Sequence, residues 1–245
     1  DSIPENKSII AKFNSDPLTD NSLFDYKNYP ASLYKKKGEV APNRAALGDF
    51  GSWLNTYSKN KYGRPIALAC SADLAGSTNI LGFSKGWNDA EDFGMYNAIK
   101  NPNGTLLPQA ITEFANAGIM TGISSVNFAE NPYSEFHGYI TACSTYASFS
   151  YLKYGAYRLY SQIAQDSQLK VGKTIWVAGH SGPETAEDFR THFGIFSPGV
   201  TQLFPEGHII NIHPWEYNEV PVMLASALRT DVPIIVLHLT RPPIS

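Results

Sequence analysis

Four ionisable side chains stand where they could move protons: Glu113, His180, Asp188 and His192. Glu113 lies within Ile111-Thr112-Glu113-Phe114-Ala115-Asn116-Ala117-Gly118, a run of small and apolar residues that reads as mid-helix. Two readings of it are open. It is either a half-exposed helix glutamate or a buried carboxylate, costly to ionise and therefore drawn to a proton or a protonated ring nitrogen. His180, Asp188 and His192 occupy a polar stretch with Gly and Pro that follows an apolar run. A loop of that kind suits working histidines better than an apolar helix face, although each could equally be a surface residue. A metal pair is disfavoured and no metal site is assigned, because no cysteine lies near and no third ligand accompanies them at short spacing. G-x-S-x-G, G-x-x-x-x-G-K-[ST] and G-x-G-x-x-G are all missing, which removes the most readable markers of hydrolases, P-loop enzymes and dinucleotide-binding enzymes.

The elements that must position these residues follow from periodicity. Arg44–Tyr57 is expected as a helix, with Ala45, Leu47, Phe50 and Leu54 on one face, and Ala110–Ile123 as another. Short apolar runs at Pro65–Cys70, Thr174–Ala178, His208–Ile212 and Pro233–Leu239 read as buried strands. Tyr139–Phe149 is expected to be a strand entering a helix at Leu152–Ala164, and Asn218–Leu228 a further helix. Continuous apolar strands separated by helices predict an α/β fold, a doubly wound, mainly parallel sheet with helices on both faces. Polar residues follow the strand ends: Ser71-Ala72-Asp73, His180 and Thr240-Arg241. In such folds that edge is where ligands bind. Residues 1–42, rich in Asn, Ser, Asp, Pro and Tyr, read as an extended lead-in or interdomain linker, and 43–245 as the domain.

Composition narrows the partners. Charged residues make up 17% of the chain and its net charge is −3, so it lacks the basic stripe that phosphate backbones require, and no nucleic acid is expected. Lys35-Lys36-Lys37 is the longest basic block and reads as a solvated turn. No apolar run reaches the roughly 18 residues of a membrane span, and no membrane association is expected. The N-terminus lacks the basic start and apolar core of a signal peptide, and it lacks an initiator Met, which fits processing or excision from a longer chain. Cys70 and Cys143 fit two buried thiols better than a disulfide and agree with a reducing cytoplasm.

Read in order, several segments resemble the central domain of transketolases. Ser71-Ala72-Asp73-Leu74-Ala75-Gly76-Ser77-Thr78-Asn79 is similar to that family's G-S-A-D-L-T-x-S-N, and Thr112-Glu113-Phe114-Ala115 stands where the family has R-E-H-A-M. Tyr146-Ala147-Ser148-Phe149 and Ala156-Tyr157-Arg158-Leu159 resemble F-L-x-F followed by A-x-R-L. Trp176–His180 and Glu187–His192 match V-x-T-H-D and E-D-G-P-T-H, with the same spacing between histidines. Pro214–Glu219 resembles P-A-D-x-N-E, and Leu239-Thr240-Arg241 resembles L-S-R. The collinear match runs from about Arg44 to Arg241.

The resemblance implies a thiamine diphosphate-binding fold of the pyrimidine type, and a role for each matched residue. Glu113 would contact N1′ of the cofactor's aminopyrimidine, Phe149 and Tyr146 would stack near that ring, and Asp73 would lie close to the thiazolium charge. Arg44, Ser77, His192 and Arg241 match sugar-phosphate ligands; His180 and Asp188 match residues that hold substrate hydroxyls near the reacting carbon. The implied activity is transfer of a two-carbon ketol unit between sugar phosphates, in a homodimer. Alternatives within the superfamily are a 1-deoxyxylulose-5-phosphate synthase or a dihydroxyacetone synthase; outside it, a non-catalytic domain kept for assembly. The sequence departs from the pattern at Phe114, at Phe189-Arg190 and at Phe193-Gly194. It also lacks the G-D-G and following Asn with which such enzymes hold Mg²⁺ and the diphosphate, Gly48-Asp49-Phe50 being the nearest imitation. A separate diphosphate-binding domain or subunit is the implied partner, and Mg²⁺ would belong to it.

Overall fold

The computed structural model describes residues 17–85, 94–108, 110–179, 192 and 198–244. Residues 17–33 form four 3-10 turns, two of them started by Asp20 and Asp25, whose carboxylates accept hydrogen bonds from the backbone N–H two residues on. Such turns have no apolar period to betray them, yet they bury Leu23, Phe24, Tyr29 and Leu33. A two-residue strand β1 (Ala41–Pro42) leads into helix α1 (Asn43–Tyr62). α1 buries Leu47, Phe50 and Leu54, each contributing roughly 1.5–3 kcal/mol. It stops at Gly63, whose φ of +75° a side chain would disfavour, with the Gly63 N–H on the Lys59 carbonyl.

Strand β2 (Ala67–Ser71) follows, then the short β3 (Leu106–Leu107), helix α2 (Glu113–Ser125) and strand β4 (Ile140–Tyr146). A single helical turn, α3 (Ala147–Ser150), and a 3-10 turn over Tyr151–Lys153 lead into α4 (Tyr154–Asp166). Strands β5 (Thr174–Gly179) and β6 (Ile209–Ile212), helix α5 (Glu219–Leu228) and strand β7 (Ile234–His238) complete the main body. The six-stranded sheet has the order β3-β2-β4-β5-β7-β6 and every neighbouring pair is parallel. A last strand, β8 (Pro243–Ile244), pairs antiparallel with β1.

Side-chain alternation along the strands divides the core into two layers. Ala67, Ala69, Ile140, Ala142, Ile175, Val177, Ile235 and Leu237 meet α1, α5 and the 3-10 turns on one face. Cys70, Cys143, Trp176, Ala178, Ile234 and Val236 meet α2 and α4 on the other. The chain is therefore the doubly wound α/β domain that the apolar runs predict. Both cysteines are free, buried thiols, and no described helix is long and apolar enough to cross a membrane.

Candidate functional site

The carboxyl edge of the sheet gathers the residues of interest. Glu113 is the first residue of α2 rather than its middle, because the backbone of Thr112 is not helical and the helix begins only after it. That start places the carboxylate in the first turn of the helix. Glu113 is only 6% exposed, and its Oε1 accepts a hydrogen bond of 3.1 Å from the Thr145 hydroxyl at the end of β4.

Tyr146 closes β4 and Phe149 lies in α3 directly after it. His192 stands edge-on to both, its ring centroid 5.7 Å from Tyr146 at 64° and 5.3 Å from Phe149 at 86°. The Tyr146 hydroxyl donates to the Ser77 hydroxyl at 3.0 Å, and an Arg44 guanidinium N–H donates to the Ser77 carbonyl at 2.8 Å. Arg44, Ser77, Tyr146, His192 and Phe149 thus form one connected run. Asp73 lies at the end of β2 with a left-handed φ of +62° and an exposed side chain that makes no hydrogen bond among the described residues. His180 and Asp188 lie outside the described residues.

Arg241, half-buried, lies three residues past β7, and the backbone of its neighbour Thr240 is tied to the start of α1 by a side chain that sequence reading overlooks. Asn43, the residue before Arg44, is 1% exposed; its Nδ2 donates to the Pro214 carbonyl and its Oδ1 accepts from the Thr240 N–H, both at 2.8 Å. One amide thereby ties the start of α1 to the segments that follow β6 and β7. A polar residue just inside a helix that follows Pro42 was the only available signal. Thr145, the anchor of Glu113, offered none.

Beside this edge the His213 and His238 rings stack at 4.0 Å and 14°. Asn211 Nδ2 donates to the Thr201 hydroxyl at 2.7 Å, and Asn211 Oδ1, which can only accept, is 3.2 Å from His238 Nε2. Burial, and then the neighbouring His213, push the His238 pKa down to about 3. Gly48-Asp49-Phe50 is helical, and Asp49 accepts a hydrogen bond from the Tyr217 hydroxyl. A cavity of about 860 Å³ opens at the opposite, amino-terminal edge of the sheet, beside Ile140, Lys173 and Pro233.

What the carboxyl edge can do chemically is specific. A sheltered carboxylate with one hydroxyl partner can meet a cationic or N–H-bearing ring, the half-buried aromatics can flank a flat heterocycle, and two guanidinium groups from distant positions can meet an anion. Against known proteins, the profile described as "Transketolase, pyrimidine binding domain" matches residues 62–242. Among curated protein sequences none matches. Among solved structures the chain is similar to the transketolase of Campylobacter jejuni, with 20% identity, 98% of this chain and 30% of that one covered, and a TM-score of 0.64. The transketolase of Leishmania mexicana gives 17% identity, coverage of 98% and 30%, and a TM-score of 0.65. A mutant transketolase from Pichia stipitis gives 19%, 96% and 30%, and 0.64. The chain spans about 30% of the length of these structures, which share its fold. With the family profile covering most of the sheet and its helices, the chain belongs to the transketolase family, as a pyrimidine-binding domain.

Proposed function

We propose that this chain supplies the pyrimidine half of a thiamine diphosphate site in an enzyme that moves a two-carbon ketol unit between sugar phosphates. Membership of the family implies thiamine diphosphate as the cofactor, and the observation that carries the reading is Glu113. Its sheltered carboxylate, held by Thr145 at the helix start, is the acceptor that a protonated aminopyrimidine ring nitrogen calls for. The cofactor, when bound, supplies the electron sink for breaking the carbon–carbon bond. This chain's residues bind and orient around it. Glu113 holds a proton at the ring nitrogen, Phe149 and Tyr146 limit the ring's position, and Asp73 offsets positive charge near the strand end. Arg44, Arg241, Ser77 and His192 receive a sugar phosphate, while His180 and Asp188 hold substrate hydroxyls.

The diphosphate and its Mg²⁺ would be held by another domain or subunit, because the sequence carries no G-D-G with a following Asn. α2 and the residues leading into it support a docking face for that partner or a second copy: Ile111 and Phe114 are exposed, the latter by 56%, and a Cβ on Gly118 or Gly122 would meet nothing within 4 Å among the described residues. We place the domain at residues 43–245, with 1–42 as its connection to other parts of the enzyme, and read the free thiols as fitting the cytoplasm. The test is Glu113→Gln in the enzyme completed by its diphosphate-binding part. Two-carbon transfer should fall by about a hundredfold or more, with the far-UV circular dichroism unchanged. Parental activity would remove Glu113, and the proposed site, from consideration.

A further inference from the structure

Ser77 and Thr78, neighbours in the segment that follows β2, are gripped by alternate residues of β4. The Tyr146 hydroxyl donates to Ser77 Oγ at 3.0 Å. The Ser144 hydroxyl lies 2.7 Å from Thr78 Oγ1, and both of those residues are fully buried. Ser144 and Tyr146 are two residues apart on one strand and so project from the same face. A hydroxyl carries one hydrogen and two lone pairs, which lets the hydrogens be placed in turn. Thr78 spends its hydrogen on the Leu74 carbonyl at 2.8 Å, so Ser144 supplies the one shared in their pair. The same carbonyl accepts the Thr78 N–H at 2.9 Å, and its two lone pairs are then filled.

Ser77 fares differently. Its hydrogen is also directed at the Leu74 carbonyl, but from 3.3 Å, beyond the usual reach of an O–H···O bond and onto an oxygen already taken twice. Tyr146 meanwhile occupies one of its lone pairs. Ser77 is thus a half-buried hydroxyl with its acceptor side partly filled and its hydrogen loosely held. Groups suited to an anion adjoin it. An Arg44 guanidinium N–H sits on the Ser77 carbonyl at 2.8 Å, and the His192 ring stands edge-on to Tyr146. A phosphoryl oxygen offers lone pairs and no hydrogen, so a hydroxyl can meet it only by donating. We propose that Tyr146 determines the preference of this site for phosphorylated substrates, as a positioning residue whose hydroxyl acts through Ser77. By donating to Ser77 it leaves that residue's own hydrogen for a phosphoryl oxygen, and each donated hydrogen polarises the next hydroxyl along the relay. Ser144 and Thr78 fix the backbone from which Ser77 donates. The family segment that matches here, F-L-x-F, has a ring without a hydroxyl at the place of Tyr146, so the relay is a feature of this chain. The inference rests on the reading of Arg44, Ser77 and His192 as sugar-phosphate ligands given above.

The test adds inorganic phosphate to the full chain without cofactor and follows the backbone amide signals of Ser77 and Thr78 by NMR. Tyr146→Phe, which keeps the ring, should raise the Kd for phosphate by about threefold to tenfold, the weight of one hydrogen bond. In a Ser77→Ala background the same change should add less than about 1.5-fold, since the hydroxyl acts only through Ser77. A merely structural hydroxyl would cost as much in both backgrounds, and equal losses would overturn the proposal. So would an unaltered affinity in Tyr146→Phe, or amide signals that phosphate leaves unmoved in the parent. If Tyr146→Phe does not fold, the parent decides. Carbon-13 at the Tyr146 ring carbon that bears the hydroxyl should shift as phosphate is added, and stay still in Ser77→Ala. A signal indifferent to phosphate, or one that moves equally without the Ser77 hydroxyl, would refute the relay. Phosphate binding needs neither cofactor nor turnover, so this failure is separate from that of the proposed function, which the transfer assay of Glu113→Gln reads.

Discussion

Replacing Asn43 by Ala removes two hydrogen bonds that join three parts of the chain. The amide is 1% exposed, donates to the Pro214 carbonyl and accepts from the Thr240 N–H, each at 2.8 Å. The Pro214 carbonyl meets Asn43 in a fully buried place, so losing the donor there should cost about 1–3 kcal/mol. Thr240 is half-buried, and its stranded N–H falls at the low end, about 1 kcal/mol. Together the change should destabilise the domain by about 2–4 kcal/mol, since an alanine offers neither group a replacement. Urea unfolding followed by tryptophan fluorescence should show the midpoint falling with an unchanged slope, because the surface exposed on unfolding is the same. A loss below about 0.5 kcal/mol would show that both groups find other partners and that this amide does not hold the three segments together.

Other outcomes can be set beside it. In the enzyme completed by its diphosphate-binding part, Arg44→Ala and Arg241→Ala should each raise KM for a phosphorylated sugar by roughly tenfold to a hundredfold, the loss of a charge-assisted contact of about 1.5–3 kcal/mol. An unphosphorylated sugar should be handled as by the parent, and equal weakening of both substrates would exclude a phosphate clamp. His238 has a folded pKa near 3, below its unfolded value, so the unfolded chain binds the extra proton between those values. Its contribution is therefore intact above about pH 6.5 and falls by up to about 1.4 kcal/mol per pH unit as the pH drops toward 3. Stability measured from pH 7 to 4 should fall less steeply in His238→Gln, by about one proton; an unaltered slope would contradict a neutral, buried imidazole.

The sheet was legible because its strands are nearly all apolar. Thr174–Ala178, expected as a strand, lies within β5, and the expected Arg44–Tyr57 helix lies within α1. β3 escaped because two residues, Leu106-Leu107, carry no period. Tyr139–Phe149 is expected as a strand entering a helix at Leu152–Ala164; the structure ends β4 at Tyr146 and inserts α3 and a 3-10 turn before α4. Glu113 was legible as a residue but not as the start of α2, since nothing in the composition of Ala110–Thr112 marks the non-helical backbone at Thr112 that delays the helix. Ser77, Tyr146 and Arg44 are far apart in the chain, and only folding shows that hydrogen bonds join them. The burial of Lys153, whose ammonium donates to the Cys143 and Val177 carbonyls, could not be read at all. In Tyr151-Leu152-Lys153-Tyr154 it is an ordinary cation at a helix entrance, and nothing local reveals that β4 and β5 close over it.

The small ribbon of β1 and β8 has a consequence for how the domain holds together. Ala41 is the register partner of Ile244, so the stretch between them is clasped at its two ends. The carboxyl edge is assembled from residues inside that clasp, from Asn43 to Arg241. On the N-terminal side the chain does not simply depart, because Leu23, Phe24, Tyr29 and Leu33 pack into the same layer as α1 and the sheet. Those turns act as a strap laid across the clasped body, and cutting them away would open one of its layers.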